Sequence, residues 1–178
     1  MRHSLIAARA ALPFAVTLFA CAVLASPASA MPIGRLAPKK ITAAGVGQVK
    51  LGMTFAELRE KRLVGKLRPG CPLAENTRSA RLRSPLRGTV NFTQSTPRKV
   101  TDIAVTRGAR ARGVKVGDRI RDIREAFPRA KVDRSTEDVF GITLVRIPRN
   151  GGGRIQFSVP LDTRRIDLIA VPFIAFCE

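Results

Sequence analysis

The chain lacks two of the three aromatic residue types and nearly all histidine. Its 178 residues include no Trp, no Tyr and one histidine, His3, which lies in a segment that we expect to be removed. Without an imidazole, the mature chain cannot supply a Ser-His-Asp or Cys-His catalytic centre from its own residues. Histidine-ligated metal sites are excluded for the same reason.

Carboxylate pairs are the remaining candidates for catalysis. Glu57 with Glu60, and Asp122 with Glu125, are spaced three residues apart and share a helix face. General acid–base chemistry needs a cleft that separates the pKa values of two such groups. Acids at a helix start are also explained by the helix dipole, and we adopt this explanation. The sequence therefore predicts that the protein is not an enzyme and requires no cofactor or metal.

Acidic residues are scarce throughout. The chain has 32 Lys and Arg against 13 Asp and Glu, a formal net charge of +19. Between residues 61 and 99, ten basic residues accompany a single acid, Glu75. An excess of this size indicates an anionic partner. The alternative is that the arginines only make the surface soluble.

The first thirty residues are typical of a secretory signal peptide. Arg2 and Arg9 give a positive start, and Ala10–Ala25 is an apolar run shorter than the roughly 20 residues that span a membrane. Small residues then lead to Ala30, which fits an A-x-A cleavage site. We expect cleavage after Ala30, which removes two of the basic residues and leaves an exported protein with no membrane span.

An alternative is a lipoprotein that is anchored through Cys21. The residues before it, Leu18-Phe19-Ala20, loosely resemble a lipobox. Phe19 is unusual at its position, however, and the apolar run continues past Cys21. The prediction therefore remains a protein that is secreted or resides in the cell envelope.

Two cysteines, Cys71 and Cys177, follow the signal segment. An exported protein matures in an oxidising compartment, where an even number of cysteines indicates a disulfide. We predict a Cys71–Cys177 bond, and the alternative is two unpaired thiols.

An internal duplication at an offset of 65 residues organises the rest of the chain. Residues 49–60 are identical to residues 114–125 at five of twelve positions, and residues 88–92 match 153–157 at the same offset. The predicted segments are a signal peptide at 1–30, a basic lead-in at 31–45, repeat unit 1 at 46–107 and repeat unit 2 at 108–178.

Each unit begins with a helical pattern and continues with short alternating runs. Apolar residues recur at i, i+4 and i+7 after Leu51 and after Val116, as in an amphipathic helix. Thr54 with Glu57 forms a capping box, and Asp118 is the expected N-cap of the second helix. We therefore predict an α+β fold of two tandem units, each an amphipathic helix packed on a small antiparallel β-meander. The expected core comprises Leu51, Phe55, Leu58, Val90, Phe92, Ile103, Val116, Ile120, Ile123, Ile155, Phe157 and Ile169.

The start of unit 1 carries a resemblance to known families. The motif Gly47-x-Val49-x-x-Gly52-Met53-Thr54-x-x-Glu57-Leu58 resembles the opening of the SmpA/OmlA group of small outer-membrane lipoproteins. It is also similar to the tandem beta-lactamase-inhibitor-protein fold. The resemblance implies two helix-on-sheet units in one exported chain. In the inhibitor family a concave sheet face grips a target enzyme, so inhibition of an enzyme is the second functional hypothesis.

A third hypothesis comes from residues 108–123, which resemble the A-x-x-A-G-[LV]-x-x-G-D-x-I stretch of PDZ domains. Such a domain would bind a peptide by adding a strand to its sheet. The duplication explains the segment more economically, because the chain continues as Arg124-Glu125-Ala126-Phe127 where PDZ domains have a turn.

The leading hypothesis is an exported, non-catalytic binding protein whose basic face contacts an anionic envelope polymer or an acidic protein. A nucleic-acid partner is not expected, because Phe92 and Phe157 alternate with polar residues as core positions rather than stacking platforms. The residues predicted to contact the partner are Arg78, Arg81, Arg83, Arg87 and Arg146.

Overall fold

The computed structural model of the protein describes residues 37–71, 77–148 and 154–176. The predicted signal peptide, Cys21 and Cys177 lie outside these residues. The described part contains twelve strands and three helices. They are β1 (Lys39–Thr42), β2 (Gly45–Val46), β3 (Val49–Lys50), α1 (Phe55–Glu60), β4 (Val64–Pro69), β5 (Arg78–Leu82), β6 (Arg87–Phe92), β7 (Val100–Arg107), β8 (Ala109–Arg110), α2 (Ile120–Ala126), β9 (Lys131–Asp133), α3 (Glu137–Phe140), β10 (Ile142–Ile147), β11 (Ile155–Pro160) and β12 (Leu168–Val171).

Two sheets contain all of the named strands. The large sheet has eight strands in the order β4-β5-β6-β7-β12-β11-β10-β9, and each neighbouring pair is antiparallel. The small sheet has the order β3-β2-β1-β8, in which β1 and β8 are parallel. We call β4–β7 the first half of the large sheet and β9–β12 its second half.

The hydrophobic core lies on one face of the large sheet, which we call the inner face. Val90, Ile103 and Phe157 are fully buried on this face, and they belong to one cluster with residues of α1, α2 and the small sheet. Antiparallel partners place their side chains on the same side of a sheet. Alternate residues therefore form an opposite, outer face.

The predicted fold class is wrong. The protein is mostly β-structure, and the strands of both predicted units join in one continuous sheet through β7 and β12 instead of forming two helix-on-meander units. α1 has six residues, α2 seven and α3 four, so the helices are too short to cover a sheet. The joining of β7 to β12 also pairs backbone groups that would otherwise form open sheet edges.

Elements of the two halves recur near the sequence offset of 65 residues. α1 begins at Phe55 and α2 at Ile120, and the strand order reads outward from β7 and β12 in the same way. In each half, two backbone hydrogen bonds tie the turn before the helix to the region where the last strand begins. They run from Gly52 N to Val100 O (3.0 Å) and from Val100 N to Met53 O (2.8 Å), and from Gly117 N to Ile166 O (2.7 Å) and from Ile166 N to Asp118 O (2.8 Å).

Local predictions at the first helix are confirmed, whereas one at the second helix is wrong. Thr54 caps α1, and its hydroxyl accepts from Glu57 N while Glu57 Oε2 accepts from Thr54 N. The N-cap of α2 is Arg119 rather than Asp118, because Asp118 Oδ2 accepts from Lys115 N in the preceding turn. Asp122 Oδ2 accepts from Arg119 N at 2.7 Å.

Most of the predicted core is buried. Eight of the twelve residues are buried, and the other four are half-buried and pack against the same cluster. The half-buried residues are Leu51, Phe55, Val116 and Ile120.

Part of the predicted basic lead-in forms a strand. Lys39–Thr42 forms β1, and its Ile41 is 3% exposed in the core. None of the helices in the described ranges is both long and apolar enough to cross a membrane.

Candidate anion-binding face

A single row of outer-face residues crosses seven strands of the large sheet. Arg81 and Arg146 lie toward its two ends, and alanines lie at its centre. Five strand spacings separate the two arginines, which is about 24 Å along the sheet at the usual interstrand distance. From β5 to β9, the row is Arg81, Thr89, Ala104, Ala170, Gln156, Arg146 and Lys131.

The first-half end of the row carries uncompensated positive charge. Arg81 is exposed, and on the neighbouring strand the exposed Arg68 faces Ser79, so Arg68 shares the outer face with Arg81. Among the residues that the structure describes, neither arginine forms a salt bridge. Like charges on adjacent strands raise the electrostatic potential at this end and favour an anion there.

The second-half end carries a compensated arginine. Arg146 Nη2 lies 2.6 Å from Asp133 Oδ2. Hydrogen bonds from the Ser135 hydroxyl and N–H, followed by the Arg146 guanidinium, hold the pKa of Asp133 below its usual value. Arg146 Nε is buried and has no hydrogen-bond partner in the described structure.

A cavity of about 400 Å³ adjoins the second-half end. Its lining includes Lys131, Arg134, Arg146 and Arg154, with Asp133 as the only acid among the lining residues. Four cations around one carboxylate leave a net positive site.

The centre of the outer face contains one buried acid, Asp102. Its Oδ1 accepts from Asn91 Nδ2 at 2.7 Å, and its Oδ2 accepts from the Thr101 hydroxyl at 3.0 Å. A register shift between Asn91 and Phe92 marks an irregularity in the pairing beside these residues. Burial raises the pKa of the Asp102 carboxyl above its usual value, and the two hydrogen bonds partly offset that rise.

The C-terminal segment covers the outer face of the second half. Ile174 N donates to Gln156 Oε1 at 2.9 Å, and the Phe176 ring stacks on Phe140 with centroids 4.4 Å apart. Gln156, Ser158 and Leu144 are buried although they belong to the outer face. The open part of this face is therefore in the first half.

The structure brings together only some of the predicted contact residues. Arg81 and Arg146 share the row described above. Arg87 begins β6 opposite Arg107 and is exposed, and the exposed Arg83 follows β5. Arg78 faces Phe92 in the inner-face register, is half-buried and donates from Nη1 to the Thr77 carbonyl.

Sequence reasoning missed Arg68, Lys131 and Arg154 as members of this surface. Arg68 was visible as part of the basic stretch, but its face depends on the pairing register of β4. Lys131 enters the row only because β9 pairs with β10. Neither register can be deduced from residue types.

One cysteine of the predicted disulfide lies in the described part of the chain. Cys71 has a free, half-buried thiol, and Cys177 lies outside the described residues, so the bond stays a prediction.

Glu57 and Asp122 accept hydrogen bonds at helix starts, and bonds from the Thr54 N–H and hydroxyl hold the pKa of Glu57 below its usual value. Within the described ranges, no three His, Cys, Asp or Glu side chains form a group that could hold a metal.

Comparisons with known proteins give no relative. No family model matches the chain, and neither the curated proteins nor the solved structures give a significant match.

Proposed function

We propose that the protein is an exported, non-catalytic binding protein whose outer face holds an extended anionic polymer of the cell envelope. The observation that carries the proposal is a pair of exposed arginines without salt bridges at the open first-half end of the face. They are Arg81, at the end of the row, and Arg68 on the neighbouring strand β4. Arginine offers several donors in a planar arrangement that suits carboxylate and phosphate groups. Cell-envelope localisation rests on the predicted signal peptide.

Repeated anionic groups suit the open end of the face better than a single compact anion does. Arg68 and Arg81 are both exposed and lie on adjacent strands, so successive charges of an extended polymer meet both arginines at once. Ala170 and Gln156 in the middle of the row are buried, which confines the contact to the first half of the sheet.

The test is binding of poly-glutamate and polyphosphate to the purified protein at increasing salt. The double variant Arg68→Gln/Arg81→Gln loses two ion contacts and should therefore bind more weakly. The slope of log K against log salt concentration should become shallower by roughly one for each lost contact. The matched control is Arg110→Gln/Arg124→Gln. It removes the same charge from exposed residues of the small sheet and α2, away from the outer face.

Unchanged affinity and an unchanged salt slope in Arg68→Gln/Arg81→Gln would contradict the proposal. Equal losses in both double variants would mean that net charge, not this face, attracts the polymer. Binding of an acidic protein at this face without binding of either polymer would favour the protein partner. If the protein inhibits an enzyme at a stoichiometric ratio, and this inhibition is insensitive to salt, the inhibitor hypothesis is favoured.

A further inference from the structure

A second cavity lies on the inner side of the large sheet, and Pro148 lines both this cavity and the one beside Arg146. It has a volume of about 420 Å³, within the range typical of small-molecule sites. It lies between the β1–β2 hairpin, the end of α2 and the ends of β10 and β11. This size suits one small ligand.

The floor of the cavity is apolar. Phe127, Ile147 and Ile155 line it together with Ala43 of the β1–β2 turn. Phe127 and Ile155 are otherwise buried in the core cluster. A ligand that fills this space therefore exchanges contact with water for contact with hydrocarbon, which favours an apolar chain.

The charged residues that line the cavity are all cations. Lys40, Arg112 and Arg129 are exposed residues of the lining, and no acid is present among the described residues that form it. One ligand molecule would thus meet hydrocarbon at one end and positive charge at the other.

Arg112 lies in a tight turn that is closed by hydrogen bonds in both directions between Ala111 and Val114, at 2.8 and 3.0 Å. Its φ of 46° is in the left-handed region that non-glycine residues rarely adopt. The guanidinium carbon lies 5.3 Å from the centroid of the Phe127 ring, so a cation stands beside the apolar floor.

We propose that this cavity binds an amphiphilic monoanion, namely a medium-chain aliphatic carboxylate. The acyl chain lies against Phe127, Ile147 and Ile155, and the carboxylate accepts hydrogen bonds from Arg112 with Lys40 and Arg129 nearby. Neutral and cationic molecules with the same tail lose the interaction with these three cations. The lining of this site includes none of the basic residues in the first half of the sheet.

The test is calorimetric titration with decanoate, octanoate and decyltrimethylammonium. We expect one decanoate per chain and about fourfold weaker binding for each methylene removed. Octanoate should accordingly bind roughly fifteenfold more weakly than decanoate. The cationic analogue should not bind.

Substitutions at Arg112 and Ala43 examine the head and tail contacts separately. Arg112→Gln should weaken decanoate binding at least about fivefold because it removes a charged donor, while Arg112→Lys should retain most of it. Ala43→Leu should fill the cavity and abolish binding. Arg124→Gln, an equal charge loss on an exposed residue outside the lining, should leave affinity unchanged. Thermal unfolding curves identify any variant that fails to fold.

Absence of decanoate binding to the wild-type protein would overturn the proposal. Equal affinity for decanoate and octanoate would mean that the tail makes no contact in the cavity. Equal losses in Arg112→Gln and Arg124→Gln would mean that Arg112 does not bind the carboxylate. Either result would also overturn the proposal. Because Arg68→Gln/Arg81→Gln leaves this cavity intact, that double variant should bind decanoate normally. The two proposals can therefore fail separately.

Discussion

The two halves of the large sheet use equivalent positions differently. Arg81 and Arg146 are 65 residues apart and occupy the same outer-face row. In the second half, Arg146 pairs with Asp133, whereas the residue 65 positions earlier than Asp133 is Arg68. Because the first half has an arginine where the second half has an aspartate, the salt-bridged pair of the second half corresponds to two unpaired cations in the first half.

The halves also differ in what covers their outer face. The C-terminal segment reaches over the second half, where Ile174 bonds to Gln156. Asn91, 65 positions before Gln156, instead donates to Asp102 in the first half. The comparison indicates that a similar backbone pattern can present a closed face on one side and an open, cationic face on the other.

The largest expected effect tests whether the two halves unfold together. Phe92 and Phe157 occupy equivalent inner-face positions and are almost fully buried, with ring partners Phe55 and Phe127. Phe92→Ala and Phe157→Ala should each lower the free energy of unfolding by about 4 kcal/mol. Because the strands form one sheet, urea unfolding should remain a single transition in both variants.

A biphasic curve in either variant would contradict this expectation. It would show that one half can unfold while the other persists, as separate units would.

An intermediate effect compares the two helix starts. Thr54→Ala removes the hydroxyl that caps α1 and should cost about 1 kcal/mol. Arg119→Ala removes a side chain that makes no capping hydrogen bond to α2, so the change should stay within about 0.5 kcal/mol. Urea unfolding at neutral pH measures both, and equal costs would show that the capping difference has no energetic consequence.

The smallest effect concerns two acids whose pKa values shift in opposite directions. Asp102 in the first half has a raised pKa because it is buried, so its contribution to stability falls as pH rises through that value. Asp133 in the second half has a lowered pKa and contributes stability above 3.8, which is lost as pH falls through the lowered value. Carboxyl titration by NMR should find Asp102 above 3.8 and Asp133 below it.

Asp102→Asn sharpens this test, because asparagine keeps a carbonyl oxygen for Asn91 and an amide that can donate to the Thr101 hydroxyl. The stability of this variant relative to wild type should increase from pH 3 to pH 7. A relative stability that is independent of pH would mean that burial does not raise the pKa of Asp102.

The side-chain period of a strand indicates which of the predicted contact residues can share a face. Arg81 is exposed on the outer face of β5. Arg78 falls on the opposite face because it lies three positions before Arg81, and an odd spacing along a strand changes the face. Placing Arg81 and Arg146 in one row required the pairing of five successive strands.

The amino-acid sequence by itself determined the local features of this protein. The capping box at Thr54, the turns ahead of α1 and α2 and most of the buried positions follow from spacing and residue type over a few residues. Tertiary structure alone decided that β7 joins β12, that the helices stay too short to cover the sheet and that the C-terminal segment covers one half. These outcomes depend on which distant backbone edges and apolar surfaces meet, and local propensity does not encode that choice.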